Sequence, residues 1–200
     1  MLYTQIDYSI GIKSVFIDAF KKLGGTIVAD ESGAQGSTDF RTQLTKVKNA
    51  NPELIYSLAM QGETSVIIKQ AKEVGITVPF FGADAWGDAK LWSGLGSAGE
   101  GDMYTTVATP LTATFIADMK AKTGGETTIC SPEAYDSIKI LAQVISKVGV
   151  DPTKIKNELY KTVYNGGVSA DKISFDSNGD LVGANYSVYI VHNGVASVVK

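Results

Sequence analysis

The chain has 200 residues, of which 44% are hydrophobic and 20% are charged, and its formal net charge is −3. This composition is typical of a globular protein of one or two domains with a sizeable core, and it excludes a disordered chain. The scattered lysines form no basic face, so we expect no nucleic-acid partner. No run approaches the roughly 18 apolar residues that cross a bilayer. The single cysteine, Cys130, excludes an intrachain disulfide, and we expect its side chain to be buried.

The first part of the chain alternates between strand-like and helix-like patterns. A strand at the start and strands at 26–29, 54–59 and 78–81 are predicted to enclose helices at 9–23, about 37–51 and about 63–74. Strands that alternate with helices of this length imply right-handed crossovers and a parallel sheet. The predicted fold class is therefore α/β, with a parallel, doubly wound sheet.

The pattern changes after Gly82. A short helix at 88–92 and a strand at 103–107 precede three helical stretches between 112 and 160, and the tail from residue 172 alternates strands with tight turns. Asn193-Gly194 is the stronger of two turn signals in that tail and predicts a two-residue hairpin loop. The change in composition near Thr109 predicts a domain boundary.

Several strings that imitate functional motifs have simpler explanations. Gly94–Gly99 matches a dinucleotide fingerprint as letters, but it follows a helix and precedes a strand, which is the wrong context. Asp176–Asp180 resembles the start of a calcium loop, yet its glycine comes two positions early, so we expect a hairpin turn. The single histidine, His192, cannot build a multi-histidine metal site. No nucleophile elbow is present. We therefore expect no cofactor, no metal and no enzymatic activity.

Polar or aromatic residues stand where the predicted strands end. Tyr8, Gln61 and Asp84 each occupy such a loop, and small ligands bind at the carboxyl ends of strands in an open parallel sheet. A carboxylate beside apolar and aromatic groups suits a ligand with an ammonium and an apolar body. The alternatives are that Asp84 only caps the following helix and that Tyr8 is a half-buried aromatic with its hydroxyl in water.

Six strings, in a fixed order, give the chain a family resemblance. They are DYSIG at 7–11, GSTDF at 36–40, QAKEVG at 70–75, GEG at 99–101, AYD at 134–136 and ISFDSNGD at 173–180. With them the chain resembles the periplasmic substrate-binding proteins of branched-chain amino acid ABC importers, which have the type I periplasmic-binding-protein fold. Such proteins close two α/β lobes, joined by three crossings, around a ligand.

The resemblance implies how the chain is divided. Residues 1–108 would form the second lobe, 109–185 the rear portion of the first lobe, and 186–200 the strands that return to the second lobe. The front of the first lobe, which holds the ligand carboxylate in the family, is expected to be absent, as is a signal peptide. Hinges are expected near 5–7, 108–110 and 184–187.

The resemblance also implies roles for five residues. Tyr8 matches the aromatic that packs on the ligand from the second lobe, and Asp84 matches the acidic residue that binds the ligand ammonium. Met60 or Gln61 occupies a position that is often aromatic in leucine binders, which leaves the preferred ligand side chain open. Trp86 is expected at the rim of the same pocket.

The predicted function is that of an extracytoplasmic solute-binding protein fragment, periplasmic or on the cell surface in its parent. It would bind a small amino acid, in first place a branched-chain one, for import through an ABC transporter permease. The alternatives are a ligand-sensing domain of a receptor or regulator with the same fold, and a small α/β enzyme. Because part of a lobe is expected to be missing, helices 112–123 and 133–148 should expose apolar surface, and the fragment should self-associate.

Overall fold

The computed structural model describes residues 1–108, 112–128 and 130–199. The chain divides into two compact units: unit 1 comprises Met1–Thr106 and Tyr186–Lys200, and unit 2 comprises Val107–Asn185. The sequence placed its boundaries close to the same positions, and the assignment of these units to lobes stays a prediction. The hinge expected near 108–110 falls partly on residues 109–110, which lie outside the described residues.

A seven-stranded sheet runs through unit 1. Its strands are β1 (Leu2–Thr4), β2 (Glu31–Gly33), β3 (Ile55–Leu58), β4 (Phe80–Gly82), β5 (Met103–Val107), β8 (Tyr186–His192) and β9 (Val195–Val198). They are arranged in the order β2-β1-β3-β4-β5-β8-β9. The pairs formed among β1 to β5 are parallel, and β8 pairs with β9 antiparallel. The parallel, doubly wound α/β fold is confirmed.

Helices cover both faces of this sheet, as the near-continuous apolar strands require. The helices of unit 1 are α1 (Asp7–Lys22), α2 (Arg41–Asn49), α3 (Gln61–Glu73) and α4 (Ala89–Leu95). Successive strand residues point to opposite faces. Ile55 accordingly joins the cluster that contains residues of α2 and α3, whereas Tyr56 joins the cluster that contains residues of α1.

The strand predicted at 26–29 is wrong. Those residues form no strand, and β2 is Glu31–Gly33, which pairs in register with β1. The β-branched residues at 26–28 mark a strand by propensity, but tertiary packing overrides that preference. Ile27 instead packs into the apolar cluster beneath α1.

Unit 2 consists mainly of helices. Its elements are α5 (Ala113–Thr123), α6 (Ser131–Val148), α7 (Pro152–Leu159) and a two-stranded antiparallel sheet of β6 (Val163–Asn165) and β7 (Lys172–Ser174). The three predicted helices are confirmed. Asp151 caps α7 by accepting a hydrogen bond from the Lys154 amide at 2.9 Å. Strand β6 was not predicted, because three residues before Gly166-Gly167 are too few to form a pattern.

The turn predictions in the tail agree with the structure. Asn193 and Gly194, at φ 52° and 73°, form the loop between β8 and β9. Asp176 Oδ1 accepts from the amides of Asn178 and Asp180, at 2.8 and 2.9 Å, and so closes its own turn. The prediction that Cys130 is buried is wrong: the residue is exposed, because it lies at the start of α6 and not within the core. None of the helices, over the part of the chain that the structure describes, is long and apolar enough to cross a membrane.

Candidate functional site

The chain order of the strands reverses next to β1. From β1 the chain moves to β2 on one side and then returns to β3 on the other. In open α/β sheets such a reversal opens a crevice at the carboxyl ends of the strands, where ligands bind. The five residues predicted to bind ligand lie in the loops or first helical turns that follow β1, β3 and β4, and all of them belong to unit 1. They are Tyr8, Met60, Gln61, Asp84 and Trp86.

Tyr8 and Asp84 are in direct contact at this edge. Tyr8 lies in the first turn of α1, after β1, and its hydroxyl donates to Asp84 Oδ1 at 2.5 Å. Asp84 begins the 3₁₀ turn Asp84–Trp86 that follows β4. Both side chains are half-buried. The hydrogen bond of the carboxylate therefore joins this turn to a helix 76 residues away in the chain.

The electrostatics of the pair favour a neutral phenol beside an anionic acid. Burial, followed by the hydrogen bond to Asp84 and the negative charge of that carboxylate, raises the pKa of the Tyr8 phenol well above its ordinary value. At neutral pH the Tyr8 hydroxyl therefore keeps its proton and acts as the hydrogen-bond donor to Asp84. The bond occupies Oδ1, and Oδ2 is the second acceptor of the carboxylate.

Tyr56 is a neighbour of this site that the sequence analysis missed. Burial, and secondarily the charge of Asp84, raises the pKa of its phenol. Its ring lies 4.1 Å from that of Phe16 and 6.2 Å from that of Phe81, measured between centroids. The signal was a hydroxyl-bearing aromatic residue within the otherwise apolar stretch at 54–59.

Met60 and Gln61 follow β3 at the same edge of the sheet. Met60 precedes the first turn of α3 and is 40% exposed, which is unusual for a large apolar side chain. Gln61 is the first residue of α3 and is half-buried. Their position agrees with the sequence analysis, and their contact with a ligand stays a prediction.

The structure corrects the expectation that Trp86 stands at the rim of the ligand pocket. Its side chain is fully buried in the core of unit 1 and so does not stand at the rim of a pocket. The reason is packing: its indole lies against Gly82, where a Cβ would come within 2.0 Å of the ring, and against Trp92 at a centroid distance of 5.6 Å. The indole Nε1 donates to the Ala59 carbonyl at 3.3 Å. Trp86 thus supports the turn that carries Asp84.

Ser9 gives similar support to Tyr8. This buried residue donates from Oγ to the Leu58 carbonyl at 2.8 Å. The start of α1 is thereby tied to the last residue of β3. The sequence analysis did not single out Ser9 because a serine at a helix start is usually read as a cap.

The half-buried Asp84 carboxylate suits the binding of an organic ammonium. Among the described residues, no group of three or more His, Cys, Asp or Glu side chains is placed to hold a metal ion. An ammonium donates hydrogen bonds to a carboxylate, and such charge-assisted bonds are stronger than neutral ones. What the geometry offers is one half-buried carboxylate, already oriented by a tyrosine.

Comparisons with known proteins agree with this fold. A family model described as "Periplasmic binding protein" matches residues 1–194. The "Leucine-, isoleucine-, valine-, threonine-, and alanine-binding protein" of Pseudomonas aeruginosa is 25% identical over 197 residues, which are 96% of this chain and 52% of the relative. The chain spans about half the length of the curated relatives it matches.

Solved structures are similar over nearly the whole chain. A leucine-binding protein LivK from Thermotoga maritima superposes with a TM-score of 0.81 at 29% identity, covering 100% of this chain and 59% of that one. An ABC transporter solute-binding protein from R. palustris, in complex with benzoate, has a TM-score of 0.81 at 16% identity and covers 98% and 56%, which shows the fold alone. The chain therefore belongs to the periplasmic binding protein family.

Proposed function

We propose that this chain forms one ligand-binding lobe, and part of a second, of an extracytoplasmic solute-binding protein for a small amino acid. A branched-chain amino acid is the first candidate. The observation that carries the proposal is the half-buried Tyr8–Asp84 pair at the strand reversal. Asp84 would accept a hydrogen bond from the ligand ammonium, contributing about 1.5–3 kcal/mol.

The division into units supports a lobe assignment. In this proposal unit 1 is the second lobe, with β8 and β9 as its returning strands, and unit 2 is the rear portion of the first lobe. The segments around 5–7 and 184–187 act as hinges. Ligand binding would favour a closed state because only closure adds contacts from the other lobe, which is a shift in population.

Membership of the family supports a transport role. We infer that the closed, loaded protein delivers its ligand to the membrane permease of an ABC importer, in the periplasm or at the cell surface. The family and the fold are those of binding proteins, and the proposal includes no catalytic step. The exposed Met60 and the half-buried Gln61 would meet the ligand side chain and so influence which amino acid is preferred.

Calorimetric titration tests the proposal. The protein encoded by the complete gene should release or absorb heat with leucine, isoleucine or valine. Asp84→Asn should weaken the affinity by about 10-fold to 150-fold, because it removes the charge that receives the ammonium. The 200-residue chain alone should bind weakly or not at all, since half of the pocket walls would be lacking.

A matched control separates the site from general charge effects. Asp18 lies exposed on α1, and Asp18→Asn changes the net charge by the same amount. It should leave the affinity unchanged. An absence of heat with every amino acid would overturn the proposal, as would equal effects of the two substitutions.

We also propose that the 200-residue chain associates with a second copy of itself. Along α6, Tyr135, Ile138 and Ile145 are 39%, 67% and 37% exposed, at spacings that place them along one side of the helix. Apolar stripes of this kind usually pack against another helix. We call these three residues the α6 stripe.

A further inference from the structure

The hydrogen bond between Tyr8 and Asp84 joins two segments that are 76 residues apart in the chain. At 2.5 Å, its length is typical of a hydroxyl that donates to a carboxylate anion. A carboxylate on its own rotates broadly about its last torsion. The hydroxyl of Tyr8 fixes that rotation by engaging Oδ1.

Both partners are anchored to the same stretch of backbone. Ser9, next to Tyr8, donates to the carbonyl of Leu58 at 2.8 Å. Trp86, two residues after Asp84, donates to the carbonyl of Ala59 at 3.3 Å. Two consecutive carbonyls, of Leu58 and Ala59, therefore tie both segments to the end of β3.

We propose that Tyr8 is a positioning residue for Asp84: its hydroxyl holds Oδ1 so that Oδ2 is directed to the ligand, and the site selects acids that carry an ammonium over the same acids without one. This inference rests on the proposed function, because it takes the ammonium as the group that Asp84 receives. It adds a role for the tyrosine hydroxyl, separate from the packing of its ring on a ligand.

The physical basis of the selection is the cost of leaving the second oxygen, Oδ2, of a half-buried carboxylate without a hydrogen-bond donor. A ligand with an ammonium pairs with Oδ2 and compensates for the water it displaces. A ligand of the same shape without nitrogen displaces the water and leaves Oδ2 without a donor, which is costly. Because Tyr8 holds the carboxylate in one orientation, Asp84 cannot turn away to escape that cost.

The tyrosine keeps its proton over the relevant pH range. Burial and the neighbouring anion raise the pKa of the Tyr8 phenol, so that it remains a donor. Tyr56 is the other titratable group that feels the charge of Asp84, and the pKa of its phenol is also raised. Since both phenols stay neutral, Asp84 is the anion that a ligand ammonium meets.

The test combines binding with a measurement that needs no ligand. Calorimetry on the protein encoded by the complete gene would compare leucine with 4-methylpentanoate, which is leucine without its amino group. Tyr8→Phe keeps the ring and removes the hydroxyl. We expect it to weaken leucine binding about tenfold and to strengthen 4-methylpentanoate binding, because Asp84 can then turn away from a ligand without nitrogen. In an Asp84→Asn background, Tyr8→Phe should have no further effect.

Tyr3→Phe is the matched control, because the Tyr3 hydroxyl lies in the same unit and accepts from Lys13 Nζ at 3.0 Å. It should leave both affinities unchanged. Equal losses of both ligands in Tyr8→Phe would overturn the positioning role while leaving the proposed function intact. A failure of the unsubstituted protein to bind any amino acid would overturn both.

The second readout is the titration of the tyrosine itself. Carbon NMR of the tyrosine rings of the same protein follows the tyrosines one by one, and the Tyr8→Phe spectrum identifies the resonance of Tyr8. In the unsubstituted protein the Tyr8 phenol should titrate above the ordinary range, and Asp84→Asn should lower its pKa. A Tyr8 titration that Asp84→Asn leaves unchanged would show that the two side chains are not paired, and the proposal would fall whatever the affinities.

Discussion

Asp102 shows most clearly how a single side chain links this fold to pH. Its carboxyl is 1% exposed; Oδ1 accepts from the Phe80 amide at 2.9 Å, and within the described residues Oδ2 is buried without a hydrogen-bond partner. Burial raises the pKa of Asp102 to about 7, against the lowering effects of the Phe80 amide and the charge of Lys72. The folded protein thus binds a proton here that the unfolded chain releases near pH 4.

Stability should therefore fall as the pH rises between about 4 and about 7, because over that window the folded state holds the extra proton. The slope from this group is at most about 1.4 kcal/mol per pH unit. Asp102→Asn should remove this contribution and increase the free energy of unfolding at about pH 8. Urea unfolding at about pH 5 and about pH 8 measures both effects.

The exposed substitution Asp18→Asn is the control for Asp102→Asn and should leave the pH dependence unchanged. If Asp102→Asn lost stability at about pH 8, or kept the slope of the unsubstituted protein, the raised pKa would be contradicted. A stabilising result would also show that the buried Asp102 carboxylate lowers the free energy of unfolding.

For single residues, the sequence predicted the location at a strand end better than the burial and contacts of the side chain. Tyr8 and Asp84 were assigned to strand ends, and the structure brings them into contact. Trp86 was assigned to the same edge, but its ring turns into the core, and the direction of a side chain beyond a strand end depends on packing that no local pattern encodes. Tyr56 was missed for the same reason.

Among the elements, α6 carries the most demanding polar interaction. Its residue Asp136 is 1% exposed and accepts from the Val168 amide at 3.0 Å, and from both the amide and the hydroxyl of Ser169 at 2.7 Å. The loop between β6 and β7 is thereby fixed to α6. Gly167 is required in that loop, because a Cβ there would come within 2.8 Å of Asp136 Oδ2.

Removing the Asp136 carboxylate should destabilise unit 2 strongly. Asp136→Ala leaves two amides and a hydroxyl without their acceptor, and we expect a loss of about 3 kcal/mol in the free energy of unfolding. Urea denaturation followed by circular dichroism measures it. Ser169→Ala removes one donor and should cost about 1 kcal/mol. A loss below about 0.5 kcal/mol for Asp136→Ala would contradict the role given to the carboxylate.

Element prediction succeeded where the pattern was long and failed where it was short. The helices repeat their apolar period over several turns, and Asn193-Gly194 has the backbone preference that a hairpin loop needs. The strands β2 and β6 have three residues each, so their pairing partners, rather than their own residues, decide where they lie.

For the whole molecule, the main consequence of the proposed lobe assignment is exposed apolar surface on α6. The α6 stripe should bring two copies of the 200-residue chain together. Ile138→Glu places a charge at the most exposed residue of the stripe, and we expect it to shift the chain from dimer or higher oligomer to monomer in light scattering. Val15→Glu on α1, at a residue 72% exposed, is the control and should leave the mass unchanged. A monodisperse monomer of the unsubstituted chain would contradict the self-association proposal.

The overall organisation followed from the sequence because six strings in a fixed order are more specific than any one of them. The ligand did not follow in the same way, because the residues around the proposed ammonium site, such as the exposed Met60, carry no pattern that names a ligand side chain. In the proposal, Asp84 calls for a ligand with an ammonium, and the neighbouring surface decides which side chain that ligand carries.

A crystal structure of the protein encoded by the complete gene, grown with leucine, would show whether Asp84 binds the ligand ammonium. The measured quantity is the distance from the leucine nitrogen to the Asp84 carboxylate. We expect a hydrogen bond of about 2.8 Å from that nitrogen to Oδ2, with the Tyr8 hydroxyl still on Oδ1. A bound leucine whose nitrogen is held by other groups, with Asp84 turned to solvent, would contradict it.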